Sequence, residues 1–353
     1  MRISDIIRDE DLLKKTAQKN EGNRSQKKVA VRDVLSTGEG TEGGFTQNHN
    51  VVTELEKKDA LVIIKELYAH LTKTFSQIRK GDDLNITKLL PLARKFVKSL
   101  AKYERVYMLM AYEDYDSKDI VYHSIWTALY AVKIGRRLAL NEEELYNLAL
   151  SGLLHDVGLF CISEDIINRE RQLFRSEVLE LKKHPEKASR LIAKLGKDYD
   201  FIHEVVLEEH ERINGSGFPN SLSGDEISLF AQIIGLADTY EDMTNTKPET
   251  KRKLPFFAIK EIIDTMKDKF NTPVIKAFLE EITLFPIGSY VRLNNQEIAR
   301  VIGSQGHTHV RHVVEVLRNS EGERLKPTRI INLMESPLLY ISEPIDEKEI
   351  PIE

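Results

Sequence analysis

Cysteine is almost missing: the 353-residue chain has one, Cys161. A lone thiol excludes an internal disulfide framework and a zinc site built from several cysteines. Long apolar runs are missing too. Charges interrupt the first residues, Met1-Arg2-Ile3-Ser4-Asp5, and leave no room for the apolar stretch of a signal peptide. No segment approaches the roughly 18–20 uncharged apolar residues of a membrane span. Charge of one sign is not in excess either, with 51 Lys and Arg against 56 Asp and Glu and a formal charge of −5. That balance argues against a DNA or RNA binder working by simple phosphate neutralisation. Phosphate-cradling glycine loops, dinucleotide fingerprints and nucleophile elbows are also absent. What is present is 41 % hydrophobic residues, enough for a sizeable core in a cytoplasmic protein, and ten histidines.

At roughly 100–200 residues per domain, the length allows two or three domains. Residues 1–50 read as a weakly ordered segment, in which the polar, Gly-rich run Ser36-Thr37-Gly38-Glu39-Gly40-Thr41-Glu42-Gly43-Gly44 tethers a short N-terminal helix to the body. Over 51–115 the apolar residues Leu61, Ile64, Leu67 and Leu71, then Leu89, Leu92, Phe96 and Leu100, recur at helical spacing. Gly81-Asp82-Asp83 divides them into a helical hairpin, with Asn85 as the cap of its second helix. This hairpin is a candidate sensory, packing or homodimerisation element. Residues 116–284 are helical by period, and 285–353 change to short strands at 290–293, 298–302 and 310–317. Asn294-Asn295 and Asn319-Ser320-Glu321-Gly322 supply turns between them. The expected fold is mainly α, a helical core with the N-terminal hairpin and a small C-terminal β appendage.

Candidate ligands fall at separate points of the helical core: Asp119 and His123, His155-Asp156, His184, Glu209-His210 and Asp238. Asp119 and His123, four apart, share one helix face. His155 and Asp156 are adjacent and serve one site only if the helix ends there, as Val157-Gly158 suggests; Asp156 would then bridge two metals. Nitrogen and carboxylate donors without thiolate suit Fe, Mn, Zn or a similar divalent ion. Two such ions roughly 3.5–4 Å apart are a common arrangement for phosphoester hydrolysis.

The ordered motifs His155-Asp156-Val157-Gly158, His184-Pro185 and Glu209-His210-Glu211-Arg212-Ile213-Asn214-Gly215-Ser216-Gly217-Phe218-Pro219, followed by Asp238, resemble the HD-GYP branch of the HD phosphohydrolase superfamily. The resemblance covers about 115–284, and the chain from Phe285-Pro286 is similar to the short β tail common after such domains. It implies an HD-type helical bundle with a di- or trinuclear metal centre. It also implies a bacterial phosphodiesterase that hydrolyses cyclic di-GMP to pGpG or GMP through a metal-bridging hydroxide. By position, His123, His155, Asp156, His184, His210 and Asp238 match metal ligands of the family. Asp119 stands where a third-metal Glu is common, and its shorter reach leaves two ions, Fe or Mn, as the expectation. Arg212 and Lys247 would position the substrate phosphates, Arg212 having as its alternative the organisation of the Gly215-Ser216-Gly217-Phe218-Pro219 loop, with Asp156 between the metals as the central catalytic ligand.

The departures from the family pattern concern catalysis. Glu209 replaces the first His of an HH pair and adds negative charge, which lowers the Lewis acidity of the ions. Leu159 replaces a Lys expected to face the scissile phosphate, Phe218 loses the hydroxyl of the GYP tyrosine, and Asn214 replaces an Asp. Losing one preorganised charge stabiliser costs about 2.7–4 kcal/mol in the transition state. Two alternatives follow: a degenerate module that binds metal or cyclic di-GMP without efficient turnover, and a hydrolase acting on a related nucleotide. Glu211 reads as an orienter of a ligand histidine, and Lys182-Lys183 and Lys251-Arg252-Lys253 as solvated surface. Cys161 reads as a buried small residue, His203 as core or a group behind the ligands, and His307, His309 and His312 as a polar strand edge.

Overall fold

The first apolar stripe folds as helix α1, Glu54–Arg79, and the second as α2, Leu89–Tyr112. Ile64, Leu67, Leu71 and Phe75 of α1 and Leu89, Phe96 and Leu100 of α2 are buried, whereas Leu61 lies on the outer side. The computed structural model describes residues 54–112, 119–167, 171–245, 253–304 and 312–350. The N-terminal segment with its Gly-rich linker, Lys247, the 251–252 part of the second basic run, His307 and His309 lie outside the described residues. Asn85 does not cap α2 directly: its Oδ1 accepts from the Thr87 amide at 3.0 Å, in the turn that leads into the helix.

Helix α3, Ile120–Arg137, is buried at nearly every position from Val121 to Gly135, including His123, Ser124, Thr127 and Lys133. A helix buried all round is a core helix, not one with a single apolar stripe. It is flanked by α4 (Glu142–Leu154), α9 (Leu229–Thr244) and α11 (Thr272–Glu281), with α1 and α2 against it as well. A capping box between Asn141 and Glu144 opens α4. Gly152 permits the close approach of α4 to α3, since a Cβ there would lie 2.9 Å from the Ala128 Cα.

After Leu154 the chain leaves the α-helical path and continues through a 3-10 turn, Val157–Cys161. The short helices α5 (Glu164–Ile167), α6 (Arg175–Leu181), α7 (His184–Ile192) and α8 (Asp200–Glu208) then lead to α9, α10 (Pro255–Thr265) and α11. The 3-10 turn sits on the first turn of α7. A Cβ at Gly158 would lie 2.0 Å from the His184 carbonyl oxygen and 2.7 Å from the Ala188 nitrogen. The helix break that frees Asp156 and the approach to α7 are thus one local event. On the other side, Phe75 of α1 stacks on Phe160 of the turn at 4.4 Å between centroids. Cys161 is exposed, contrary to the buried position expected, because it ends the turn at the surface beside Lys187, whose ammonium donates to the Cys161 carbonyl at 3.0 Å.

The C-terminal sheet is antiparallel throughout, in the order β4-β3-β2-β1-β5, with β1 Tyr290–Leu293, β2 Ile298–Ser304, β3 His312–Arg318, β4 Arg324–Asn332 and β5 Ile341–Ile345. It has its own small core of Val291, Leu293, Ala299, Val301, Val314 and Val316. Phe285 joins that core and stacks on Phe256 of α10 at 5.6 Å. The sequence pattern gives the first three strands but not the two at the edges. β4 carries Pro327 and is mostly exposed, so it has no alternation to read. Of the C-terminal histidines, His312 is not on a polar edge but buried at the start of β3, edge-on to Phe285.

Gly158→Ala should cost about 1–3 kcal/mol of stability through overpacking, read as a lower urea midpoint. An unchanged midpoint would contradict the close contact between the turn and α7.

Candidate metal centre

His123 enters from the buried face of α3, His155 and Asp156 from the end of α4, His184 from the start of α7, Glu209 and His210 from the end of α8, and Asp238 from the middle of α9. All seven side chains are buried. Their donor atoms form two groups that share Asp156. On one side, His123 Nε2 lies 3.1 Å from Asp238 Oδ1 and 3.3 Å from Asp156 Oδ2, and His155 Nε2 lies 3.5 Å from the same Asp156 oxygen. On the other, His184 Nε2 lies 3.6 Å from Asp156 Oδ1 and 3.7 Å from Glu209 Oε1, and His210 Nε2 lies 3.8 Å from Glu209 Oε1. The two oxygens of Asp156 thus face opposite groups. Donors about 2.0–2.2 Å from a common ion are separated by distances of this kind.

Hydrogen bonds on the far side of the rings fix which nitrogen is bare. His155 Nδ1 donates to the Gly152 carbonyl at 2.8 Å, and His184 Nδ1 donates to the Leu181 carbonyl at 2.8 Å. A carbonyl accepts only, so each Nδ1 carries the proton and each Nε2 presents a lone pair. His123 Nδ1 is bonded to the Glu241 carboxylate, which fixes the same tautomer. Two bare nitrogens then face each other, His123 Nε2 and His155 Nε2 at 3.2 Å, and the His210 Nε2 lies 3.0 Å from the bare His184 Nε2. Converging lone pairs repel unless a cation lies between them.

Glu209 makes the same demand. It is 1 % exposed, and neither carboxylate oxygen has a hydrogen-bond partner among the described residues. Burial, reinforced by the Asp156 and Asp238 carboxylates, pushes its pKa well above the usual range. Burial likewise holds His184 and His210 in the neutral form. Burial alone would also raise Asp156 and Asp238, but neighbouring imidazoles hold both below the ordinary carboxylate range. Neutral His184 and His210, the ionised Asp156 and Asp238 and an orphaned buried glutamate fit divalent cations, and they fit little else without a large cost in unpaired charge.

Three residues stand elsewhere than expected. Asp119 is not among the converging donors but caps α3: Oδ1 accepts from the Val121 amide at 3.0 Å and the Tyr122 amide at 3.3 Å, and Oδ2 accepts from the Tyr68 hydroxyl at 2.7 Å. The last bond pushes the Tyr68 pKa up to about 12. Arg212 turns to the backbone, where Nη1 donates to the Glu209 and Glu211 carbonyls at 2.8 and 2.7 Å and the guanidinium covers Phe270 at 4.9 Å. It braces the turn that carries Glu209 and His210, a different task from gripping phosphate. Glu211 orients no ligand histidine; it accepts from the Asn220 and Leu222 amides at 2.7 and 3.0 Å and so closes the loop around Phe218.

Phe218 lies flat on His210, with centroids 4.7 Å apart and planes at 12°. With Leu159, Ile162 and Leu181 it forms an apolar patch next to the ligands. Both family positions that lose a polar group here, 159 and 218, thus pack together. Lys182 is half-buried, not solvated surface, and its ammonium sits 5.6 Å from the Phe218 ring centroid. His203 instead bonds Ser189 Oγ at 2.9 Å.

Glu241 is the functional residue that the sequence reading misses. Its position three residues after Asp238, on the same face of α9, is the signal that would have found it. Glu241→Gln should weaken divalent metal binding about 10–100-fold in competition with a chelator, because it removes the carboxylate that orients His123. Unchanged affinity would mean that the bond has no part in holding metal.

Among the described residues, no helix is long and apolar enough to cross a membrane. The family described as HD domain matches residues 86–274, and the one described as KOW domain associated with HD domain matches residues 290–352, the sheet. A cyclic di-GMP phosphodiesterase of Pseudomonas aeruginosa is 23 % identical over 283 residues, 80 % of this chain and 68 % of its own length. The cyclic di-GMP phosphodiesterase PdeB of Borreliella burgdorferi is 27 % identical over 57 % of this chain and 53 % of its own. 3'3'-cGAMP-specific phosphodiesterase 1 of Vibrio cholerae is 33 % identical over 40 % of this chain and 33 % of its own. The solved structure of an HDG"Y"P protein from Bdellovibrio bacteriovorus shares the fold, with a TM-score of 0.53 at 14 % identity over 70 % of this chain and 75 % of that one. Together with the ordered motifs and the converging donors, these matches establish that the chain belongs to the HD domain family, in its HD-GYP branch.

Proposed function

We propose that the protein is a metal-dependent phosphodiesterase that opens cyclic di-GMP to pGpG or GMP. The observation that carries this reading is Asp156, whose two oxygens face two buried donor groups at 3.3–3.6 Å. His123, His155, Asp156 and Asp238 would hold one divalent ion, and Asp156, His184, Glu209 and His210 a second. Divalent ions supply Lewis acidity at phosphoryl oxygens and make water acidic enough to act as a nucleophile at neutral pH. The oxygen- and nitrogen-only donor set, with three carboxylates, favours Mn or Fe over softer ions.

The chain's own residues set the conditions for that chemistry. Gly152, Leu181 and Glu241 hold three imidazoles with Nε2 toward the centre. Burial raises the Glu209 pKa, so holding a cation would require its deprotonation and metal affinity should rise with pH. Phe218, Leu159 and Leu181 cover one side with apolar surface and keep bulk water from the ligands. Cyclic dinucleotides as a class are supported by the relatives, two named for cyclic di-GMP and one for 3'3'-cGAMP. Leu159 favours the second reading, a module that binds without efficient turnover, because an apolar side chain fills the position of an expected cation.

Metal analysis followed by turnover of cyclic di-GMP and 3'3'-cGAMP with Mn or Fe supplied separates these readings. The proposal expects bound metal and cyclic di-GMP turnover that falls about 10²-fold or more in Asp156→Ala. Metal and tight nucleotide binding with no turnover would favour the binding module, and faster turnover of 3'3'-cGAMP would reassign the substrate.

A further inference from the structure

We propose that Lys182 is the cation that attracts and positions a phosphate of the cyclic dinucleotide at this centre, a role that Leu159 leaves vacant. The inference rests on the phosphodiesterase reading above and adds a substrate-positioning residue to it. Asp156, Glu209, Asp238 and Glu241 place four carboxylates in or against the ligand set, all of them buried. Two divalent ions would only neutralise them. An anionic substrate would then meet a centre with no net positive charge, and its attraction would have to come from cations outside the ligand set.

The described residues leave few candidates. Arg212 is committed to the Glu209 and Glu211 carbonyls and to Phe270. Lys183 pairs with Glu180 at 2.9 Å, and Lys187 pairs with the same carboxylate at 2.7 Å. Lys182 stands between α6 and α7, two residues before His184, and pairs with no carboxylate among the described residues. Its ammonium rests over Phe218, the ring that lies flat on His210 and edge-on to His184 at 6.4 Å. A cation over an aromatic face is held weakly and remains free to accept an anion. The long, flexible stem allows the ammonium to leave the ring for a phosphate oxygen near the metals without moving the backbone. Phe218 without a hydroxyl keeps that ring face apolar, and Leu159 in the same patch offers no competing charge.

The test uses full-length, metal-loaded protein with two readouts, the Kd for a phosphorothioate analogue of cyclic di-GMP and the steady-state hydrolysis of cyclic di-GMP. Lys182→Met keeps stem length and removes the charge. It should raise Kd and KM about tenfold or more, with kcat within about twofold and metal content unchanged. Lys182→Arg should restore most of the affinity, and the difference between wild type and Lys182→Met should shrink at high salt. Leu159→Lys in the Lys182→Met background should recover binding by returning a cation to the neighbouring position. Equal Kd and KM in wild type and Lys182→Met would overturn the assignment while leaving the phosphodiesterase reading intact. Wild-type protein that holds metal yet neither binds the analogue nor hydrolyses cyclic di-GMP would overturn both.

Discussion

Carboxylates buried beside imidazoles govern the structure around the centre. Asp156, Glu209 and Asp238 are removed from water in the middle of a helical bundle, and no Lys or Arg ammonium or guanidinium is paired with them among the described residues. Burying one such charge unpaired costs several kcal/mol, so ionising all three together calls for cations among them. The surrounding elements serve this arrangement. The all-buried α3 brings His123 inward, the break after α4 releases His155 and Asp156, and Gly158 lets that turn approach α7 and His184.

The N-terminal hairpin is continuous with the same region. Tyr68 of α1 holds the cap of α3, Phe75 stacks on Phe160 behind the Asp156 turn, and Arg79 pairs with Glu164 at 3.0 Å just beyond it. These contacts make α1 part of the scaffold that fixes Asp156. The sheet differs, because it has its own core and meets the bundle through the stacked pair Phe285 and Phe256.

The seven converging side chains were legible in the sequence because their ordered motifs resemble those of the HD-GYP branch. The helical core and its hairpin were legible because apolar residues recur at helical spacing. The rest depended on information that a linear pattern does not carry. Asp119 lies one turn before His123, and the same spacing serves a shared ligand face or a helix cap; the Tyr68 hydroxyl and two amides decide for the cap. The charge of Arg212 fits either a substrate phosphate or the loop that follows it, and only its carbonyl partners decide for the backbone. The Gly152 and Leu181 carbonyls that fix the imidazole tautomers are backbone groups without a sequence signature. Strands β4 and β5 lie at the sheet edges, where exposure removes the alternation that marks a strand.

If Asp156 bridges two cations within one buried donor set, anomalous diffraction from crystals grown with Mn will show both. Two peaks about 3.5–4 Å apart are expected, each in contact with Asp156. One should lie among His123, His155 and Asp238, and the other among His184, Glu209 and His210. A single peak, or manganese bound away from Asp156, would contradict that bridge.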